Sequence, residues 1–123
     1  ELLTGRRIRQ PEDLRRAARA IHEAAGCAVL MKGGHLKSMR EAIDIYYDGD
    51  TELLLSAPFI KGLSTHGTGC TYSAAIAGYA ALGYDLMDAV QAGKDYITQS
   101  IARSIQVSGQ TVLFHPRARN VIC

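Results

Sequence analysis

Apolar positions along this chain change their period several times, and each change marks an element. From Pro11 onward, Leu14, Ala17, Ala18, Ile21, Ala24 and Ala25 recur at helical spacing. Pro11 suits a first turn, Glu12 and Asp13 complement the helix dipole there, and Gly26 supplies a stop. Ala28-Val29-Leu30-Met31 is then an apolar run of strand length that closes at Lys32-Gly33-Gly34. A helix followed by a short strand of this kind predicts an αβ unit in a mostly parallel sheet. Residues 28–32 are expected to be an interior parallel strand, apolar on both faces.

Further along, Ala42 to Tyr47 and Glu52 to Ser56 flank Asp48-Gly49-Asp50-Thr51. Asp-Gly between two strand-like runs predicts a hairpin. Ser64 to Thr71 reads as a loop that runs straight into an Ala-rich helix from Tyr72 to Leu82, closed by Gly83. Asp85 reads as the N-cap of a last long helix. Its expected core face is Leu86, Ala89, Val90, Gly93, Ile97, Ile101 and Ile105. Thr111 to Phe114 reads as a terminal strand, and no internal repeat is visible.

Composition narrows the class. At 123 residues the chain fits one compact domain, with 47% hydrophobic and 21% charged residues, close to ordinary globular values. Fourteen Lys and Arg against twelve Asp and Glu leave a net charge of +2, too little to argue for nucleic acid. The arginines at 6, 7, 9, 15, 16 and 19 read as a solvated helix face and its approach. No apolar run approaches the roughly 18 residues of a membrane span, and the first 25 residues lack the apolar centre of a secretory signal. Cys27, Cys70 and Cys123 are an odd number at wide spacing, which suits a reducing cytoplasm better than a disulfide framework. The chain opens on Glu1 without an initiator Met, which reads as processing or as a piece of something longer.

The chemistry concentrates in Gly67-Thr68-Gly69-Cys70, at the mouth of a helix. Two glycines let the backbone bend so that successive N–H groups face one point, where the helix dipole adds positive potential. Such a nest suits an anion, most often phosphate. A thiol placed where those amides converge is a better base or nucleophile. As a bare pattern the same four residues are a weak signal, and a glycine-rich turn with a small buried Cys capping a packed helix is the favoured reading.

The flanks decide between these readings. Thr65-His66-Gly67-Thr68-Gly69-Cys70-Thr71, followed by Ser73-Ala74-Ala75-Ile76-Ala77 and Ala81-Leu82-Gly83-Tyr84, closely resembles the hydroxymethylpyrimidine (phosphomethylpyrimidine) kinases of thiamin biosynthesis. These belong to the ribokinase-like superfamily, whose usual motif has Asp where this branch has Cys. The resemblance extends upstream through Leu2-Leu3-Thr4-Gly5, Met31-Lys32-Gly33-Gly34-His35-Leu36 and Ala42-Ile43-Asp44. Downstream it takes in Asp88-Ala89-Val90, Lys94-Asp95-Tyr96 and Ile101, and it covers residues 1–105. The implied fold is α/β and ribokinase-like: the C-terminal portion of a doubly wound, mostly parallel sheet, with flanking helices and a β-hairpin.

By that resemblance, Cys70 stands in the place of the general base, against the hydroxymethyl of the substrate. The amides of Gly67, Thr68, Gly69 and Cys70 form the anion hole for the transferred phosphoryl. Lys32, with Gly33 beside it, is placed to neutralise ATP phosphates at the carboxyl end of a strand. His35 and His66 read as structural, with His66 the better placed of the two to stand near phosphate. Gly93 and Lys94 fall in the region where the superfamily packs adenine. Asp44 and Asp48 could bind metal, but a turn role is favoured for both, and no residue is assigned to metal.

The implied cofactors are ATP and Mg²⁺. The implied partner is a small molecule, hydroxymethylpyrimidine or its monophosphate, with no nucleic acid and no membrane, in a homo-oligomeric full-length parent. Pyridoxine or pyridoxal kinase is the runner-up, because those substrates also carry a hydroxymethyl on an aromatic ring. A non-catalytic phosphate- or nucleotide-binding module is the reading from a different class. Family members are about twice this length, in keeping with the ~200 residues and more of a full doubly wound enzyme. The Asn/Glu pair associated with Mg²⁺ lies upstream of the segment present, and Glu1 is not equated with its Glu. The tail from Val107 to Pro116 lacks the family's glycine- and histidine-rich ending. An edge left bare by so few strands leads to the expectation that these 123 residues alone are neither a stable nor an active monomer.

Overall fold

Helix α1 runs from Pro11 to Ala25, with the stop at Gly26 in the left-handed conformation (φ 67°) and its N–H donating to His22 O at 2.7 Å. At the other end the Asp13 carboxylate accepts the N–H groups of Arg9 (3.0 Å) and Gln10 (3.2 Å), which ties the incoming chain to the first turn. In this computed structural model, residues 4–5, 7–33, 41–58, 67–107 and 110–115 are described. They divide between two compact units, Glu1–Phe59 and Ile60–Cys123.

In the first unit, β1 (Val29–Lys32), β2 (Glu41–Tyr47) and β3 (Glu52–Pro58) form a sheet in that order. Every pairing in it is antiparallel. Val29 stands opposite Tyr47 and Lys32 opposite Asp44, while Glu41 pairs with Pro58 and Tyr47 with Glu52. This corrects the expectation that residues 28–32 form an interior parallel strand. An apolar run reports that both faces are covered and carries no information on the direction of its neighbour. Among the described residues no strand pairs with β1 in the parallel sense.

Alternation assigns the two faces of this sheet. Val29, Ile43 and Ile45 face α1 and form the core with Leu14 and Ala18, flanked by Ile8, Ile21, Met31 and Tyr47. Ala24 and Ala25, expected on the core face, are exposed.

The Asp-Gly signal marks the β2–β3 turn. Asp48 Oδ1 accepts the N–H groups of Asp50 (3.0 Å) and Thr51 (2.7 Å), and Tyr46 Oη donates to Oδ2 (3.1 Å). The Thr51 N–H contributes most to holding this carboxyl below its ordinary value. Gly49 takes φ 100°, and a Cβ there would fall 2.7 Å from His22 Nε2. Asp48 is thus the turn residue that its chemistry suggests.

The basic face of α1 is only partly solvated. Arg15 and Arg19 both reach across to Glu52, Arg19 Nη2 lying 3.1 Å from Oε2, and Arg19 also lies over the Tyr47 ring. The Arg15 hydrogen bond is the main cause that holds the Glu52 carboxyl below its ordinary value of 4.5. A carboxyl depressed by folding adds stability above its unfolded value and loses it as pH falls through the folded one. The stability difference between wild type and Glu52→Gln is therefore expected to be constant above about pH 6 and to shrink on acidification below the ordinary glutamate range. Urea unfolding across that range is the measurement. A difference that stays constant down to about pH 3 would remove Glu52 from the contributors.

The second unit opens on α2 (Thr68–Ala81), followed by α3 (Leu86–Ala102), β4 (Ile105–Val107) and β5 (Gln110–Val112). Helix α2 starts four residues earlier than its Ala-rich run suggests, so Cys70 lies in the first turn and not in a preceding loop. The Asp85 cap on α3 is present, its side chain accepting Asp88 N–H at 3.0 Å. Helix α3 ends at Ala102, and Ile105 belongs to β4, which pairs antiparallel with β5. The alternating, β-branched run from Ile105 favours strand over another helical turn. Leu86, expected in the core, is 47% exposed. No helix among the described residues is long and apolar enough to cross a membrane.

Candidate functional site

Gly67 caps α2 in the left-handed conformation, φ 85° and ψ −1°, which a residue with a side chain adopts only at a cost. The ladder of the helix begins with Thr71 N–H donating to Gly67 O at 2.9 Å. The amides of Thr68, Gly69 and Cys70 therefore precede that ladder and point out of the amino end of the helix. No acidic side chain lies in this first turn. The dipole makes this amino end of the helix positive. Cys70 is exposed, and Ser73 Oγ donates to Gly69 O at 3.0 Å, fixing the second turn on the first.

Behind this end the two helices approach closely. A Cβ on Gly93 of α3 would fall 2.6 Å from Ile76 Cγ1 and 3.4 Å from Tyr72 Cε2, so the glycine sets the spacing of α2 and α3. Lys94 is only 7% exposed and its ammonium lies 6.0 Å from the centroid of the Tyr72 ring. Gly93 and Lys94 thus meet the same helix that carries Gly67 to Cys70, through Tyr72 and Ile76. Sequence reasoning passed over Tyr72, whose position two residues after Cys70 is the available signal.

In the first unit, Lys32 ends β1 with an exposed side chain, and Gly33 follows, buried. The Gly33 N–H lies 3.0 Å from Ile43 O and 3.1 Å from Asp44 Oδ1. A Cβ on Gly33 would sit 2.2 Å from Ile43 O and 2.7 Å from Leu14 Cδ1. Asp44 is not the turn residue favoured for it: it lies within β2, buried, because its side chain serves the Gly33 amide. Gly34, His35 and His66 lie outside the described residues.

A model of the phosphomethylpyrimidine kinase family matches residues 1–115. The hydroxymethylpyrimidine/phosphomethylpyrimidine kinase of Rhizobium meliloti is 48% identical over 102 residues, 82% of this chain and 38% of that protein. The enzyme of the same name from Synechococcus elongatus is 40% identical over 116 residues, 94% of this chain and 44% of that protein. Among solved structures, Bacillus subtilis pyridoxal kinase in an ADP complex superposes with a TM-score of 0.82 at 32% identity, covering 89% of this chain and 42% of that one. The ribokinase-like α/β class is therefore the class of this fold, and the chain spans about two-fifths of the length of the curated relatives it matches. On the match from residue 1 to residue 115, this chain belongs to the phosphomethylpyrimidine kinase family.

Proposed function

We propose that this chain carries the phosphoryl-transfer portion of an ATP-dependent kinase of 4-amino-5-hydroxymethyl-2-methylpyrimidine and its monophosphate. The observation that carries the reading is the first turn of α2. There Gly67-Thr68-Gly69-Cys70 combines a left-handed glycine cap, outward amides, no carboxylate and an exposed thiol. That donor set fits phosphate oxygens. A loose phosphoryl transition state needs charge stabilisation and alignment above all, which pre-aimed amides supply without reorganisation. Cys70 Sγ accepts the proton of the substrate hydroxymethyl as the substrate oxygen bonds to the γ-phosphorus of ATP. The bond from that phosphorus to the bridging oxygen breaks, releasing ADP. The residue so acts as base and not as covalent nucleophile.

Lys32 neutralises nucleotide phosphates, with Gly33 allowing the close backbone approach at the end of β1. Gly93 with Lys94 forms part of the adenine region. Mg²⁺ accompanies ATP and spreads the phosphate charge when bound. Among the described residues there is no group of three or more His, Cys, Asp or Glu able to hold a metal ion.

The test is an assay of the intact gene product with ATP and each acceptor. Turnover of the hydroxymethylpyrimidine and its monophosphate is expected. The similarity to a pyridoxal kinase at 32% identity supports a second reading, with a pyridoxal-type acceptor. Turnover of pyridoxal alone would select it, and nucleotide binding without turnover of either acceptor would leave a binding module. Within the kinase reading, Lys32→Ala is expected to raise KM for ATP by about ten-fold, through one lost charge-assisted contact to phosphate. Steady-state kinetics at varied ATP is the check, and an unchanged KM and kcat would make Lys32 a surface residue.

A further inference from the structure

Strand β2 carries one acid inside an apolar run, Ala42-Ile43-Asp44-Ile45-Tyr46-Tyr47. Asp44 is 3% exposed. A carboxylate withdrawn from water needs hydrogen-bond partners that offset its desolvation. One such partner is the Gly33 N–H, 3.1 Å from Oδ1, and that amide also lies 3.0 Å from Ile43 O. The strand end is therefore held by two acceptors on consecutive residues of β2. It is also packed so tightly that a single added carbon on Gly33 would meet Ile43 O at 2.2 Å. In the ladder Asp44 stands directly opposite Lys32. Both side chains thus rise from the face of the sheet that does not pack on α1.

We propose that Asp44 is a positioning residue for nucleotide binding: its carboxylate fixes the Lys32-Gly33 end of β1, so that the Lys32 ammonium is presented to phosphate from one place. The inference rests on the reading in which Lys32 meets ATP phosphates. A long, flexible lysine gains most from a rigid base, because less freedom is lost on binding. The carboxylate acts here through the Gly33 amide and does not touch the nucleotide.

The test uses the intact gene product with Asp44→Ala and Asp44→Asn, following KM for ATP, KM for the acceptor, kcat and thermal stability. Asp44→Asn keeps the side-chain acceptor for the Gly33 N–H, whereas Asp44→Ala leaves that amide with Ile43 O alone of the two. Asp44→Ala is expected to raise KM for ATP about ten-fold while KM for the acceptor stays within about two-fold. Asp44→Asn is expected to restore KM for ATP to within about three-fold of wild type. Should Asp44→Ala fail to fold, Asp44→Ser, whose hydroxyl is too short to reach the amide, carries the same expectation. An unchanged KM for ATP in the variant without the side-chain acceptor overturns the inference, as does an equal rise in both KM values. Wild-type protein that binds no nucleotide overturns the functional reading and this inference together. A working wild-type kinase with an indifferent Asp44 overturns this inference alone.

Discussion

Cys70→Ala in the intact gene product is expected to lower kcat by about 10²–10⁴-fold, the range typical of a lost general base. KM for ATP is expected to stay near its wild-type value. The split follows from where the two functions reside. Phosphate is held by backbone amides at the amino end of α2, which the substitution leaves in place, because alanine suits a helix better than cysteine does. Proton acceptance resides in the Cys70 sulfur, and that side chain is exposed, so its removal opens no cavity. Wild-type kcat in Cys70→Ala would reduce the residue to a helix-end side chain. A loss of ATP affinity equal to the loss in kcat would show that the thiol binds rather than catalyses.

Gly33→Ala is expected to destabilise the protein by about 3 kcal/mol, the upper part of the range for overpacking. Two contacts account for the size. The added carbon would lie 2.2 Å from a backbone oxygen, Ile43 O, which cannot swing aside as a flexible side-chain end can. It would also lie 2.7 Å from Leu14 Cδ1, in the centre of the core that joins α1 to the sheet. Relieving either contact moves β1 away from β2 and lengthens the Gly33 N–H bonds to Ile43 O and Asp44 Oδ1. Urea unfolding of Gly33→Ala beside wild type reads the loss, with the slope expected to be unchanged. Equal midpoints would mean that the strand end is looser than its contacts imply. Because Lys32 immediately precedes Gly33, the surviving folded fraction is also expected to bind ATP more weakly.

Local chemistry was legible residue by residue. Pro11, the acids after it and Gly26 bound α1 because each acts on its own turn: a fixed φ, a charge on the dipole, a left-handed stop. Asp48-Gly49 marks the hairpin for the same reason, since the carboxylate bonds amides two and three residues ahead. Asp85 caps α3 through Asp88 N–H. The Gly67–Cys70 motif and its flanks carried the family, and with it the fold class, because a bend that aims amides at an anion is built from consecutive residues.

What tertiary structure alone decided involves partners distant in sequence. The direction of β1 beside β2 depends on which strand reaches its hydrogen-bonding edge, and an apolar run is the same in either case. Arg15 and Arg19 look like a solvated stripe until the register places Glu52 beside them, 37 and 33 residues away. Gly33 and Gly93 read as ligand-binding glycines in the sequence. Their tightness against Ile43 and Ile76 appears only once the elements pack, because a missing Cβ reveals nothing about what would have occupied its place. Asp44 shows the contrast most plainly. Its chemistry alone suggested a turn, whereas burial and an amide eleven residues away make it an internal acceptor. Short-range hydrogen bonds and backbone preferences are encoded within a few residues, while strand direction, close approach and buried charge are set by the surfaces that folding brings together.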